Sequence, residues 1–112
     1  MALRKWDVVF ITQFPNQEDK TQYTKRPAII LEVIGNRVKA CCITKEVTQQ
    51  SRYTDTILIG LNTPESKGMN LPYESIVVLD RMAEIDSSKV IDPPFGRCPG
   101  IVIKKIKEFL SK

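Results

Sequence analysis

The segment KRPAIILEVIGNRVKACCIT, from Lys25 to Thr44, predicts a β-hairpin at the centre of the fold. Ala28–Ile34 is apolar and rich in the β-branched residues that favour strands. Gly35-Asn36 is a two-residue turn pair that tolerates positive φ, and Arg37–Thr44 is the return strand. We expect Pro27 at the first position of the outgoing strand, where its missing N–H need not interrupt a ladder.

The two open ends of this hairpin carry side chains that can contact a phosphate. Alternation predicts one face of the return strand with Val38, Ala40, Cys42 and Thr44, and another with Arg37, Lys39, Cys41 and Ile43. Antiparallel pairing across a two-residue turn brings Arg26, at the entrance, close to Thr44, at the exit. An arginine offers a fixed fork of donors that matches a phosphate, although an exposed loop arginine would look the same in sequence.

The rest of the chain predicts short strands and one terminal helix. We expect strands at Trp6–Phe14, Asp55–Gly60 and Tyr73–Asp80, with a break near Arg81 and a further short strand at Met82–Ile85. Polar or Pro/Gly-rich segments predict loops at Pro15–Lys25, Lys45–Thr54, Leu61–Pro72 and Asp92–Gly100, and a helical turn at Asp86–Val90. This pattern indicates a mainly β fold, either a small barrel or a strongly twisted sheet, in one domain spanning residues 1–112.

The final segment, Ile101–Lys112, is an amphipathic helix by its apolar spacing. Its apolar stripe consists of Val102, Ile106, Phe109 and Leu110, and Ile103 widens it. The stripe predicts packing on the sheet. The helix or a neighbouring strand could also lie at a dimer interface.

Composition excludes several classes of function. The chain has 17 Lys and Arg against 13 Asp and Glu, a mild positive charge that is compatible with RNA but not specific for it. It has no histidine, and its three cysteines, Cys41, Cys42 and Cys98, form no metal-ligand spacing. We therefore expect reduced cysteines, no metal and no cofactor. Without a secretory signal or the roughly 20 apolar residues of a membrane span, a cytoplasmic protein is expected.

The order of several motifs resembles the MazF/PemK (Kid-like) family of toxins. These motifs are WDVVFITQF before the hairpin, KRPAIIL and ITKE within and after it, and YESIVVLDRMAEID towards the end. The resemblance implies a small SH3-like β-barrel, shared with CcdB-like proteins, and a C-terminal helix. It also implies a homodimer that cuts single-stranded RNA without metal, leaves a 2′,3′-cyclic phosphate and is covered by an acidic antitoxin.

The resemblance assigns catalytic roles to three residues. Arg26, in the RP dipeptide, corresponds to an active-site arginine, and Thr44 to a threonine that contacts the scissile phosphate. Asp80 takes the place of an aspartate near the RNA, and Arg81 follows where glutamine is commoner. Each also has an ordinary explanation, as a loop arginine, a strand threonine or a surface carboxylate.

Four further residues are candidates for substrate binding. Lys45 follows Thr44 and could add charge near a phosphate. Tyr23, in the first loop, and Tyr53, after the hairpin, could stack on unpaired bases, and Arg52 precedes Tyr53. Both tyrosines could instead pack within loops.

The chain departs from the family pattern at three places. Lys45 stands where serine is frequent, and Val78 where some members have an arginine used in acid–base chemistry. No histidine occurs near Asn16–Glu18, where some members carry one. Loss of an acid–base group typically costs about 10²–10⁴-fold in rate, so Lys45 or Glu84 would have to compensate, or the site is slow or inactive.

The sequence thus leaves several functions open. The first is a toxin of a type II toxin–antitoxin system that acts as an endoribonuclease. The second is a non-cleaving member that binds RNA or an antitoxin. The third is a CcdB-like protein that inhibits gyrase, although the C-terminal FLSK lacks the aromatic end of that group. A small barrel scaffold with another role is the last.

Overall fold

A six-stranded antiparallel sheet and one C-terminal helix make up the protein in the computed structural model, which describes residues 3–15, 23–44 and 55–111. The strands are β1 (Asp7–Pro15), β2 (Tyr23–Ile34), β3 (Arg37–Thr44), β4 (Thr56–Ile59), β5 (Ser75–Asp86) and β6 (Val90–Arg97). The helix is α1 (Gly100–Leu110), and 3₁₀ turns occur at Pro64–Ser66 and Ser87–Lys89. The predicted fold class, mainly β with a C-terminal helix, is confirmed.

The strand order is β4-β5-β3-β2-β1-β6, so the predicted hairpin of β2 and β3 lies in the middle of the sheet. Gly35 has φ of +58° in its turn, the conformation for which glycine is suited. The outer strands β4 and β6 are not paired with each other among the described residues, and the sheet is open. The β2–β3 ladder runs from Ala28 opposite Cys42 to Ile34 opposite Arg37.

Both faces of the sheet are covered by apolar packing. The helix-side core contains Trp6, Val8, Ile29, Leu31, Cys41, Ile43, Ile57, Ile59, Met69, Val77, Leu79, Cys98, Val102 and Ile106. The opposite core contains Val9, Ile11, Phe14, Ala28, Ile30, Val38, Ala40, Cys42, Ile85 and Val90. The alternation predicted for β3 is thus confirmed, and both of its faces are buried from Ala40 to Thr44, whereas Arg37 is exposed.

The largest differences from the predicted strand bounds are in β2 and β5. β2 begins at Tyr23, so Pro27 lies inside the strand, opposite Phe10, and the predicted loop to Lys25 is too long. The ladder between β2 and β3 begins one residue later, at Ala28, which limits the effect of the missing N–H of Pro27. β5 does not break at Arg81 but continues to Asp86.

The segment predicted as a connector at Asp92–Gly100 largely forms β6, an edge strand paired with β1. Its ladder is irregular between the pairs Val8–Gly96 and Phe10–Ile91. Prolines are tolerated in edge strands at such irregularities, so Pro93 and Pro94 do not prevent the strand.

The helix begins at Gly100 and buries Val102 and Ile106 against the sheet. Phe109 and Ile103 are partly buried on the same core, but Leu110, which the stripe included, is exposed. Leu110 is the last residue of the helix, and the buried part of the apolar stripe ends before it. Among the described residues, no helix is long and apolar enough to cross a membrane.

Candidate RNA-binding and catalytic site

Arg26 and Thr44 meet at the open end of the central hairpin. Continuing the register of Ala28 opposite Cys42 by two residues places Arg26 opposite Thr44. Arg26 also pairs with Ile11 of β1, and Thr44 with Ile76 of β5. Arg26 is half-buried and Thr44 is only 2% exposed, so neighbouring strands hold both residues. The hairpin register thus brings together the arginine and the threonine that the sequence predicted as partners.

A cavity of about 240 Å³ lies beside them. Its walls are mostly apolar and come from β1, β2, β3 and the segment before β5: Phe10, Lys25, Arg26, Pro27, Ile43, Thr44, Leu71, Pro72, Tyr73 and Ser75. Ile43 belongs to the helix-side core and Leu71 packs against it, so the cavity opens on that side of the sheet. Arg26 and Thr44 both contribute to the wall of this cavity.

Arg81 is a further candidate beside Arg26 and Thr44, and the sequence did not predict a role for it. Adjacent residues Cys41 and Cys42 of β3 pair with Met82 and Val78 of β5, so three residues of β5, Leu79–Arg81, bulge out of that ladder. The backbone N–H of Leu79 donates to the carbonyl of Asp55 at 2.9 Å, which fixes the bulge to the start of β4. Arg81 is only 8% exposed, which is unusual for an arginine.

The pKa values of the two adjacent cysteines respond to different nearby charges. Burial raises the pKa of the Cys42 thiol, and the positive charges of Arg26 and Arg81 act against this rise. Burial likewise raises the pKa of Cys41, and there the charge of Asp80 adds a smaller increase. The positive charges of Arg26 and Arg81 therefore act on Cys42, whereas the negative charge of Asp80 acts on Cys41.

Of the other predicted site residues, only Asp80 has a described side chain, and it does not line the cavity. Asp80 is exposed within the β5 bulge, and Val78, where the resemblance expects an arginine, is completely buried. Tyr23 is the first residue of β2 and pairs with Pro15. Lys45, Arg52 and Tyr53 lie outside the described residues, as do Asn16–Glu18.

Glu84 is at the far end of the hairpin and cannot replace a missing acid–base group. It pairs with Lys39 in the β3–β5 ladder, and its carboxylate lies 3.7 Å from Nε of Arg37. Arg37 follows the turn, at the opposite end of β3 from Thr44. The described residues also include no group of three or more Cys, Asp or Glu side chains able to hold a metal ion.

Tyr73 is a second residue that the sequence did not single out. It is 58% exposed and forms part of the cavity wall. The signal was present in sequence as an aromatic residue between Pro72 and the start of β5. The local sequence, however, does not indicate that the segment before β5 lies beside the open end of the hairpin.

These features define a small antiparallel β protein with an arginine and a hydroxyl at the end of its central hairpin. Comparison with protein-family models matches residues 4–112 to the PemK-like, MazF-like toxins of type II toxin–antitoxin systems. The match covers nearly the whole chain, and the chain belongs to this family. No curated protein matches the sequence in a direct comparison.

Proposed function

We propose that this chain is the toxin of a type II toxin–antitoxin pair and that it cuts single-stranded RNA without a metal ion. The observation that carries the proposal is the meeting of Arg26 and Thr44 at the open end of the hairpin, beside a cavity. Membership of the family supplies the toxin class and the expectation of an antitoxin partner. The cleaving activity, the homodimer and the cytoplasmic location are parts of the proposal.

In the proposed reaction, the 2′-oxygen of a ribose attacks the adjacent phosphorus and the bond from phosphorus to the 5′-oxygen breaks. The 2′-hydroxyl loses a proton, the leaving 5′-oxygen gains one, and a 2′,3′-cyclic phosphate remains. Negative charge builds up on the non-bridging oxygens, where a fixed cation stabilises the transition state most. We propose that Arg26 supplies that cation and that the Thr44 hydroxyl donates to the same phosphate.

Arg81 supports the proposal because it is a second positive charge that, like that of Arg26, acts on Cys42. A buried arginine is held in one position by its surroundings, so little reorganisation is needed when charge develops nearby. We propose that Arg81 compensates in part for the apolar Val78. Asp80 and Lys45 remain weaker candidates, and the proton donor is not assigned to a residue.

A non-cleaving member of the family is the second candidate function. The burial of Val78 favours it, since an apolar side chain there cannot take part in proton transfer. Such a protein would bind RNA or its antitoxin through the same surface and leave the RNA intact. RNA binding that weakens with added salt, without cleavage, would support this alternative.

The test incubates purified protein with a long single-stranded RNA in excess chelator. We expect discrete cuts from the wild type and a loss of at least about 100-fold in rate for Arg26→Ala, the usual cost of one transition-state donor. The matched control is Arg37→Ala, which removes the same residue type from the other end of the hairpin and should leave the rate unchanged. Thermal unfolding checks that both variants are folded.

Intact RNA with the wild type would overturn the cleavage proposal in favour of the non-cleaving function. Equal loss of activity in Arg26→Ala and Arg37→Ala would also contradict it, since the effect would then not belong to the proposed site. Inhibition of gyrase with intact RNA would point to the CcdB-like alternative.

A further inference from the structure

A second cavity, of about 360 Å³, lies between the residues before β1, the segment before β5 and the end of β6. Among the residues that line it are Arg4, Asp7, Gly68, Phe95, Gly96 and Arg97. Its wall thus combines two arginines with one carboxylate and carries more positive than negative charge. It contains neither Arg26 nor Thr44, so it is separate from the cavity described above.

Asp7 fixes one of these arginines in place. It is the first residue of β1, and it is only 3% exposed. Its Oδ1 accepts from Nη1 of Arg97 at 3.0 Å, and its Oδ2 accepts from the backbone N–H of Arg4 at 2.8 Å. The Arg97 side chain is 48% exposed, and within the described ranges it has no other acceptor. A guanidinium has five N–H donors, so Arg97 can bind Asp7 on one side and an anion on another.

Arg4 lies in a turn that is anchored to the sheet. Its carbonyl accepts from the backbone N–H of Asp7 at 3.1 Å, and its side chain is exposed. Between them, the N–H of Trp6 donates to the carbonyl of Ile30 at 2.6 Å, and the carbonyl of Trp6 accepts from the N–H of Cys98 at 2.9 Å. Trp6 has φ of +76°, a costly conformation for a bulky residue that persists only where the surroundings impose it. The backbone that carries Arg4 is therefore held beside the Asp7 carboxylate.

The opposite wall of this second cavity is a close contact between two backbone segments. A Cβ atom on Gly96 would collide with the carbonyl of Met69, so only glycine fits there. The N–H of Arg97 donates to the carbonyl of Gly68 at 2.8 Å, and Gly68 has φ of +81°. Met69 is completely buried. The backbone of Arg97 is thus fixed in the same way as its side chain, by a contact with a neighbouring element.

A pair of aromatic rings connects the two cavities. Phe95 lines the second cavity and Phe10 lines the first, and their ring centroids are 4.9 Å apart. Nζ of Lys25 lies 5.3 Å from the centre of the Phe10 ring, and Arg97 follows Phe95 by two residues, roughly 6–7 Å along a strand. The path from Lys25 to Arg97 is therefore on the order of 20 Å. Positive charges lie at both of its ends, with the two rings between them.

We propose that Arg97 and Arg4 bind a second phosphate of single-stranded RNA, several nucleotides from the phosphate held by Arg26 and Thr44. The inference rests on the proposed function for its ligand class, RNA. A guanidinium fork matches the geometry of a phosphate, and Arg4 adds a charge that Asp7 does not neutralise. Continuity with the first cavity favours an RNA strand over an acidic peptide. A phosphate contact positions the strand and carries no base preference.

The test measures how binding depends on salt, and it does not depend on cleavage. Fluorescence anisotropy gives Kd at several salt concentrations for 2′-O-methyl dodecanucleotides of U and of A, which lack the attacking hydroxyl. Twelve nucleotides cover the path between the cavities even at the ~3.4 Å spacing of a duplex strand. Each neutralised phosphate contributes about 0.7 to the slope of log K against log salt for single strands. We expect the double variant Arg4→Ala/Arg97→Gln to lose about 0.7 of slope with both sequences.

The variants are chosen to preserve the fold. Arg97→Gln keeps a donor for the buried Asp7 carboxylate, and Arg4→Ala keeps the backbone N–H that Asp7 accepts. The matched control is Arg37→Gln, because Arg37 also pairs with a carboxylate but lies at the turn end of the hairpin. Arg37→Gln should leave the slope unchanged. Thermal unfolding checks that each variant is folded.

Combination with Arg26→Ala tests whether two phosphates are involved. Arg26→Ala alone should also lower the slope by about 0.7, because it removes the contact to the first phosphate. If Arg97 and Arg4 hold a different phosphate, the two losses add in the triple variant. A triple variant with no greater loss than Arg26→Ala would mean that all three arginines bind one phosphate, and it would overturn the proposal.

Three further outcomes would overturn the proposal. One is an unchanged slope in the double variant, which would leave the two arginines to an acidic partner or to the fold alone. The second is an equal loss of slope in Arg37→Gln, since the effect would then reflect net charge and not a site. The third is failure of the wild type to bind either dodecanucleotide. Absence of RNA cleavage alone would contradict the proposed function and not this inference, because the 2′-O-methyl strands report binding only.

Discussion

The two ends of the central hairpin carry similar residues in opposite surroundings. At the turn end, Val33 is 43% and Ile34 45% exposed, and Arg37 forms an ion pair with Glu84 in which both side chains are about half exposed. Such exposed pairs contribute about 0–1 kcal/mol to stability. At the open end, Ile43 is completely buried, Thr44 nearly so, and the charge of Arg26 acts on a buried thiol.

The difference shows that position in the sheet, and not residue type, decides what an arginine can do. Arg37 is exposed to solvent beside the carboxylate of Glu84, so its charge is screened. Arg26 lies where β1, β2 and β3 meet, and the surrounding strands exclude part of the water. A charge in such a place interacts more strongly with an approaching phosphate. The same hairpin therefore has a solvated end and an end organised for binding an anion.

Truncation of one isoleucine at each end should give the largest contrast. Ile43→Ala removes a fully buried side chain and should lower the free energy of unfolding by about 2–5 kcal/mol. Ile34→Ala removes an exposed side chain and should lower it by no more than about 0.5 kcal/mol. Urea unfolding of both variants, at two protein concentrations, measures the difference.

Equal losses of unfolding free energy in Ile43→Ala and Ile34→Ala would contradict the difference between the two ends of the hairpin. If the loss for Ile34→Ala were large and depended on protein concentration, the turn end would be buried between subunits. That result would support the proposed homodimer and place its interface at Val33 and Ile34. A large loss independent of concentration would mean that the turn is more tightly packed in solution than its exposure indicates.

Removal of the Thr44 hydroxyl should have the next largest effect. Thr44→Val keeps the shape of the side chain and loses the donor, and a hydrogen bond to a charged group is worth about 1.5–3 kcal/mol. We expect kcat/KM for RNA cleavage to fall about 10- to 150-fold, and Thr44→Ser to retain most of the activity. Thr12→Val, which removes an exposed hydroxyl bonded to the carbonyl of Lys89, is the control.

Unchanged cleavage by Thr44→Val would remove the hydroxyl from the proposed mechanism and leave Arg26 as its main contact to the phosphate. A loss of activity in Thr44→Ser as large as in Thr44→Val would indicate that packing of the methyl group matters instead. Thermal unfolding of each variant separates these effects from loss of the fold.

The fold could be predicted where local signals agree with the packing. β3 has the predicted bounds, and β1, predicted at Trp6–Phe14, runs one residue later at each end. The turn brings the ends of the hairpin together, but the register that puts Arg26 level with Thr44 also depends on an irregularity between Ile30 and Glu32, which the sequence did not predict. β6 could not be predicted, since prolines usually interrupt strands and only pairing with β1 overrides that preference here.

The rest of the site depends on contacts between residues far apart in sequence. The bulge that contains Arg81 is a property of the β3–β5 ladder, and the sequence around Arg81 suggested a strand break instead. Tyr73 reaches the cavity because Asn70 bonds to Phe95, 25 residues away. The local sequence pattern does not indicate such contacts, so Arg81 and Tyr73 are recognised as site candidates only in the structure.

The smallest predicted effect is a change in melting temperature on substitution of Asp86, at the turn end of the hairpin. Asp86 begins the 3₁₀ turn Ser87–Lys89. Its Oδ1 accepts the backbone N–H of Ser88 at 2.9 Å, and this bond, followed by a bond to the Ser88 side chain and the nearby Arg37 charge, lowers the pKa of Asp86. The folded protein therefore favours the ionised form. The ionised Asp86 therefore contributes to the stability of the fold at pH values above its unfolded pKa, near 3.8. This stabilisation is lost as the pH falls through the lower pKa of the folded protein.

Asp86→Asn keeps an acceptor for the Ser88 N–H but cannot ionise, so it isolates the charge. We expect the melting temperature of the wild type to exceed that of the variant slightly at pH 6, and the difference to shrink below about pH 3.8. Because Asp86 is fully exposed, added salt should reduce the Arg37 part of the difference and leave the hydrogen-bonded part. A difference that stays constant from pH 6 to pH 2.5 would mean that Asp86 acts by shape alone. The substitution Asp86→Asn should leave the rate of RNA cleavage unchanged, since this end of the hairpin lies away from Arg26.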